Sequence, residues 1–148
     1  MSSFNGTDKL SPSLISSLLQ FFSLSYRNDK DTYYFLNNYR LLVIPHPNVE
    51  GSFNNRKGEK TETEEIIDPQ FDFNYGIVNN GYKCYQTSTA RLIAHLYKEY
   101  LIIGTLILSK GKDSILFPFG SEAKHENQKS KDHKAYISIA EILSLIHI

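Results

Sequence analysis

Leu101–Leu108, read LIIGTLIL, puts apolar side chains on both faces of any strand it forms, with only Gly104 and Thr105 as breaks. Successive residues of a strand point to opposite faces, so a segment apolar on both demands cover on both. Leu41–Ile44 has the same character. Two such segments tie the chain to a sheet with packing on each side. The amphipathic helices elsewhere are few and short, enough to cover one face. A partner subunit packing sheet on sheet is expected on the other, because a soluble monomer rarely exposes a large contiguous apolar patch.

The pieces around these segments fix the expected order. Ser11 and Pro12 supply a cap residue and an N1 proline ahead of Leu14, Ile15, Leu18, Leu19 and Phe22, a pattern that predicts a short amphipathic helix, or an extended arm where tertiary contacts win. Thr32–Leu36 and Arg40–Ile44 are rich in β-formers around Asn37-Asn38 and predict a hairpin. His46-Pro47-Asn48 then opens a charged loop over about 48–69, which the mixed charge assigns to solvent. Phe71, Phe73 and Tyr75 alternate with polar residues as a short strand, and Asn79-Asn80-Gly81 signals a turn. Thr87, Ser88 or Thr89 caps a helix whose apolar side is Leu92, Ile93, Leu96, Tyr97 and Tyr100. Leu101–Leu108 and Ser114–Phe119 flank Ser109–Asp113 as a second hairpin. A lysine-rich connector over about 120–135 follows, and Ser138 with Glu141 forms a capping-box pattern before a C-terminal helix. The predicted fold class is α+β: a mainly antiparallel sheet flanked by helices, one domain over 1–148, with polar loops at about 48–69 and 120–135.

Bulk properties narrow the function classes. A chain of 148 residues matches one domain on the prior of roughly 100–200 residues per domain. Sixteen basic against sixteen acidic residues leave no net charge, which removes any global attraction to nucleic acid or acidic membrane. Cys84 is the one cysteine, so no intramolecular disulfide forms, and the first residues lack the order of a secretory signal. The cytoplasm is the expected compartment, with the nucleus second. The apolar run from Tyr100 to Leu108 is far short of the roughly 20 residues that span a bilayer.

Catalytic chemistry finds little footing. No phosphate-binding glycine motif occurs. Cys84 and His95 suggest a thiol nucleophile oriented by Asp72 or Glu99, against the simpler reading of a lone buried thiol among Tyr82 and Tyr85. His46, His125, His133 and His147 lack metal-site spacing. Glu62, Glu64, Glu65, Asp68 and Asp72 fall in or beside the charged loop, with no evident apolar pocket of the kind acid–base catalysis uses. Lys129, Lys131 and Lys134 near Tyr136 suggest a weak nucleic-acid patch, opposed by the interleaved acids. No catalytic residue, cofactor or metal is expected, and no enzyme.

The stretches FSLSYRNDKDTYYFLNNYRLLVIPHPN and TSTARLIAHLYKEYLIIGTLILSKGKDSILFPF resemble the small fungal members of the proteasome assembly chaperone family. The features that carry the resemblance are Thr87-Ser88-Thr89, a helix over Ala90–Tyr100, the strand Leu101–Leu108, the turn at Asp113-Ser114 and the strand Ile115–Phe119. Two insertions, around Val49–Asp68 and Ser121–Lys134, depart from the family's shorter pattern. The resemblance implies a non-enzymatic chaperone, paired with a related small chaperone in a β-sandwich heterodimer. That heterodimer would bind an α-type subunit of the 20S proteasome, the fifth in the ring, and promote correct α-ring assembly. Leu42, Ile44, Leu106, Leu108, Ile115 and Phe117 are the expected chaperone–chaperone interface. The competing expectation is a small β-rich nucleic-acid-binding subunit of a nuclear complex; neither reading involves a membrane.

Overall fold

The structure, a computed structural model, describes residues 1–73, 83–111, 114–116 and 129–145. The chain divides into two compact units, Met1–Lys110 and Gly111–Ile148. In the first unit, α1 (Leu10–Ser25) opens one residue before the expected cap. Asp8, rather than Ser11, serves as the cap: its Oδ1 accepts from the N–H groups of Leu10 and Ser11, each at 3.0 Å. Pro12 then falls in the first turn, where a missing N–H costs nothing. The helix ends with the Tyr26 N–H on the Phe22 carbonyl.

The expected hairpin over 32–44 is instead α2 (Lys30–Asn38) followed by chain without regular structure. Asp29 caps α2 by accepting from the Asp31 N–H at 3.1 Å and the Thr32 hydroxyl at 3.3 Å. Phe35 stacks on Phe22 of α1 at 5.9 Å between ring centres, and Tyr33 meets Tyr26 at 5.3 Å. These aromatics have high strand propensity, but the cap and the ring pairs on α1 decide the conformation. Asn37 and Asn38, read as a turn, lie in the last turn of α2 and donate to the Tyr33 and Tyr34 carbonyls.

The charged segment after His46 is ordered, and parts of it are buried. Asn48 is 1% exposed. It caps α3 (Val49–Phe53) through the Gly51 N–H and donates its amide to the carbonyls of Phe4 and Lys57. Two strands follow, β1 (Glu59–Lys60) and β2 (Ile66–Ile67), antiparallel with Glu59 opposite Ile67 and Lys60 opposite Ile66. The Phe71–Phe73 strand is absent: Pro69–Phe71 is a 3-10 turn, capped by Asp68 on the Gln70 N–H. Tyr75 and the Asn79-Asn80-Gly81 turn lie outside the described residues. The helix after Thr87 forms as expected, as α4 (Ser88–Glu99) with Thr87 at the cap.

The N-terminal segment ties these pieces together. The Ser2 N–H donates to the Ile44 carbonyl at 3.1 Å, the Leu108 N–H to the Met1 carbonyl at 2.9 Å, and Ser2 and Leu108 form a parallel bridge. Gly6 lies against the backbone of α3, where an added Cβ would come within 2.3 Å of the Gly51 carbonyl carbon. Only glycine allows that approach. Buried apolar side chains among the described residues are Phe4, Ile15, Ala90 and Ile93, a small core supplemented by buried polar groups.

The second unit contains α5 (His133–Leu145). It starts five residues before the expected capping box, so Ser138 sits within the helix and returns its hydroxyl to the Lys134 carbonyl. Ile137, Ile139 and Ile142 are exposed. Ser114–Leu116 carry no strand, and Phe117–Phe119 lie outside the described residues.

The sheet-dominated α+β sandwich is therefore overturned: the described residues are 47% helical, with five helices and one two-stranded antiparallel pair. Strand propensity in Thr32–Leu36 and Leu101–Leu108 needs a neighbouring strand to act on, and among the described residues none of a sheet's length is present.

Candidate interaction surface

α4 ends at Tyr100, whose extended φ and ψ of −124° and 142° carry the chain straight into Leu101. From there to Ile107 it has no regular structure, and none of its backbone N–H groups donates a hydrogen bond among the described residues. Two contacts hold its far end: the Met1 α-ammonium donates to the Leu106 carbonyl at 2.6 Å, and Leu108 bridges Ser2. Burial pushes the pKa of that α-ammonium below its ordinary value. The Tyr97 and Thr105 hydroxyls hydrogen-bond each other, a brace from α4 to the middle of the segment.

Leu101 and Ile103 are, with Phe53, the most open apolar side chains of the first unit. Leu101 is 94% and Ile103 77% exposed, while Leu106 and Ile107 are also exposed. A Cβ added at Gly104 would meet nothing within 4 Å. The result is a length of chain with unpaired backbone donors and bare apolar side chains, the two things a strand-adding partner uses.

Of the residues expected at an interface, Ile44, Leu106 and Leu108 converge on the N-terminal segment: the Ile44 carbonyl accepts from Ser2, the Leu106 carbonyl from Met1, and Leu108 bridges Ser2. Leu42 is exposed in the chain between α2 and α3, and Ile115 is exposed in the second unit. Phe117 lies outside the described residues.

The catalytic candidates do not assemble. Asp72 is fully buried, and its Oδ2 accepts from the N–H and hydroxyl of Thr87 at 2.7 and 2.8 Å. Glu59 is 5% exposed, and its two oxygens take the Ser88 and Thr89 N–H groups at 2.8 and 3.1 Å. With the Thr87 hydroxyl on the Ala90 N–H, the positive end of α4 is filled by the chain's own carboxylates. Cys84 is a half-buried free thiol, and His95 is exposed. Among the described residues no group of three His, Cys, Asp or Glu is placed to hold a metal.

The loop acids make ion pairs: Glu64 with Lys60 and Asp68 with Lys57, both at 2.9 Å, and Glu62 with Arg91 at 3.8 Å. Glu50 pairs with Arg56. Lys129, Lys131 and Lys134 are exposed around the start of α5. His125 and His147 lie outside the described residues. His46 acquires a partner that the sequence does not announce, the Ser52 hydroxyl at 3.2 Å, itself taking a hydrogen bond from Lys9 Nζ at 2.8 Å. The capping roles of Glu59 and Asp8 are equally silent in the sequence. Comparison with models of protein families, with curated proteins and with solved structures finds no match to this chain.

Proposed function

We propose that this chain is an assembly chaperone that acts by binding, with Leu101–Ile107 as its docking strand. The observation that carries the reading is the coincidence, in one segment without regular secondary structure, of N–H groups without acceptors and exposed Leu101, Ile103, Leu106 and Ile107. Such a segment adds to the edge of a partner's sheet: the backbone supplies the ladder, and alternate side chains enter pockets on either face. Full burial of each Leu or Ile is worth about 1.5–3 kcal/mol, so these anchors supply much of the apolar part of docking and the rest of the interface supplies the remainder.

The resemblance of the two quoted stretches to the small proteasome assembly chaperones gives the partners. They are a related small chaperone, forming a heterodimer, and an α-type subunit of the 20S proteasome, the fifth in the ring. Holding that subunit blocks incorrect neighbours until the α-ring closes.

The test is size-exclusion chromatography with light scattering on the chain alone, with the related small chaperone, and with single α-type subunits. The expected result is a 1:1 heterodimer that captures one α-subunit. Ile103→Asp, at an exposed position, is expected to weaken the heterodimer by at least about tenfold, the loss of one buried anchor, with an unchanged melting temperature. A chain that ignores both partners, or Ile103→Asp binding like the parent, defeats the proposal. Salt-sensitive RNA or DNA binding that disappears on joint substitution of Lys129, Lys131 and Lys134 would favour the nucleic-acid reading instead.

A further inference from the structure

Leu101–Leu108 contains one side chain able to make a hydrogen bond, Thr105. That side chain is the one the rest of the molecule holds: its hydroxyl meets the hydroxyl of Tyr97, eight residues earlier in the last turn of α4. Gly104 beside it stands clear, since a Cβ added there would meet nothing within 4 Å, and Ile103 is 77% exposed. Among the described residues no other hydrogen bond reaches residues 101–105. Between the end of α4 and the ties of Leu106 and Leu108 to the N-terminal segment, the Tyr97 hydroxyl is the one polar hold on this stretch.

We infer that Tyr97 is a positioning residue for docking: its hydroxyl clasps Thr105 and keeps the unbound segment standing off the protein with Leu101 and Ile103 bare. That role rests on the reading of Leu101–Ile107 as the docking strand. Bare leucine and isoleucine side chains gain free energy by folding back on any apolar surface in reach. Leu92 and Tyr100 on α4 are exposed and offer such a surface. A segment that has folded back must be pulled away before a partner's strand can pair with it, so the apparent affinity falls by the fraction of molecules left open. A hold at residue 105, in the middle of the stretch, keeps that fraction high and reduces the ordering that binding has to impose.

The helix that carries Tyr97 is itself well fixed. Glu59 and Asp72, both buried, take the Ser88, Thr89 and Thr87 N–H groups at its start, and the Thr89 hydroxyl donates to the Pro47 carbonyl at 2.7 Å. Ala90 and Ile93 are buried one turn further on. The ring of Tyr97, by contrast, is half in solvent, at 52% exposure, so its hydroxyl is the part of the side chain with a definite partner. Water competes for both hydroxyls, which limits the clasp to the few-fold effect of a neutral hydrogen bond. Tyr97 thus acts through Thr105 and need not touch the partner.

The experiment takes the full chain, Tyr97→Phe, Thr105→Val and the double variant through NMR relaxation in the free state and titration with the related small chaperone. Tyr97→Phe keeps the ring and removes only the hydroxyl, so the melting temperature should hold. The amide order parameters of Ile103 and Gly104 should fall from about 0.85 to below about 0.6 in Tyr97→Phe. Affinity for the related chaperone should weaken by about three- to tenfold, mainly through slower association. The double variant should bind no more weakly than Thr105→Val, because both changes remove one hydrogen bond. Unchanged order parameters in Tyr97→Phe overturn the inference even where the heterodimer forms, and so does unchanged affinity. Tighter binding by Tyr97→Phe also overturns it, by making the hydroxyl pair a latch that docking has to break. A parent chain that binds no partner defeats the docking reading and the affinity role of Tyr97 with it, while the order parameters still report whether the clasp holds.

Discussion

Asp8 is 4% exposed, and its carboxylate gathers the N–H groups of Leu10, Ser11 and Lys110 with the Ser11 hydroxyl. Burial works against its charge, but those donors outweigh burial and hold the carboxyl below its ordinary value of 3.8. A folded value below the unfolded one means that this contribution to stability is complete above pH 3.8 and is lost as pH falls through the folded value. Asp8→Asn should lower stability at neutral pH by about 1–2 kcal/mol and flatten the acid limb below about pH 4. Urea unfolding across pH measures both effects, and an acid limb as steep in the variant as in the parent would sink the assignment. Thr87→Ala should cost about 1–2 kcal/mol, because it removes the α4 cap and a donor to buried Asp72, while Thr87→Ser should cost far less. Thr87 was legible as a cap because Thr-Ser-Thr precedes an amphipathic run. Asp72 was misread, since strand alternation placed it on a wet face and nothing local showed that Thr87 would close over it.

Among elements, the helices with regular apolar spacing were legible and those decided by partners were not. α4 forms where its spacing puts it, although Leu92, Tyr97 and Tyr100 of its expected apolar side are exposed; α1 and α5 begin earlier than their marked caps, and α2 stands where the β-formers of Thr32–Leu36 predict a strand. Its deciding signals are one Asp29 carboxylate and two aromatic pairs with a helix several residues away. The β1–β2 pair lay hidden in a charged loop. Its turn runs from Thr61 to Glu65, with the Thr61 N–H on the Glu65 carbonyl at 2.8 Å, and Glu64 takes a left-handed φ of 67°. A side chain there costs roughly 1–2 kcal/mol, more than glycine's extra backbone entropy. The exposed Lys60–Glu64 pair offsets little of that. Glu64→Gly should therefore stabilise the protein by about 0.5 kcal/mol, read as a rise in the urea midpoint; a fall would show that the ion pair outweighs the strain.

At the scale of the molecule, the expectation of a sheet came from Leu41–Ile44 and Leu101–Leu108, and their apolar character is real. Leu41, Leu42 and much of Leu101–Ile107 are exposed, and none of them lies in a sheet among the described residues. The hydrogen bonds named for the first unit all close within Met1–Lys110. A chain ending at Lys110 should accordingly unfold in one cooperative transition with a urea midpoint close to that of the same transition in the full chain. Loss of cooperativity in the shortened chain would show that residues after Lys110 hold the first unit together.

Gly6 pressed on α3 and Asp8 holding the Lys110 N–H have a consequence for synthesis on the ribosome. The α1–α2 hairpin needs only neighbours in sequence and can pack as soon as both helices have emerged. The residues before it cannot seat until α3, then Leu106 to Lys110, have been made. The residues just before α1 are thus made ahead of it yet seat only after Lys110, among the last parts of the first unit to find their place.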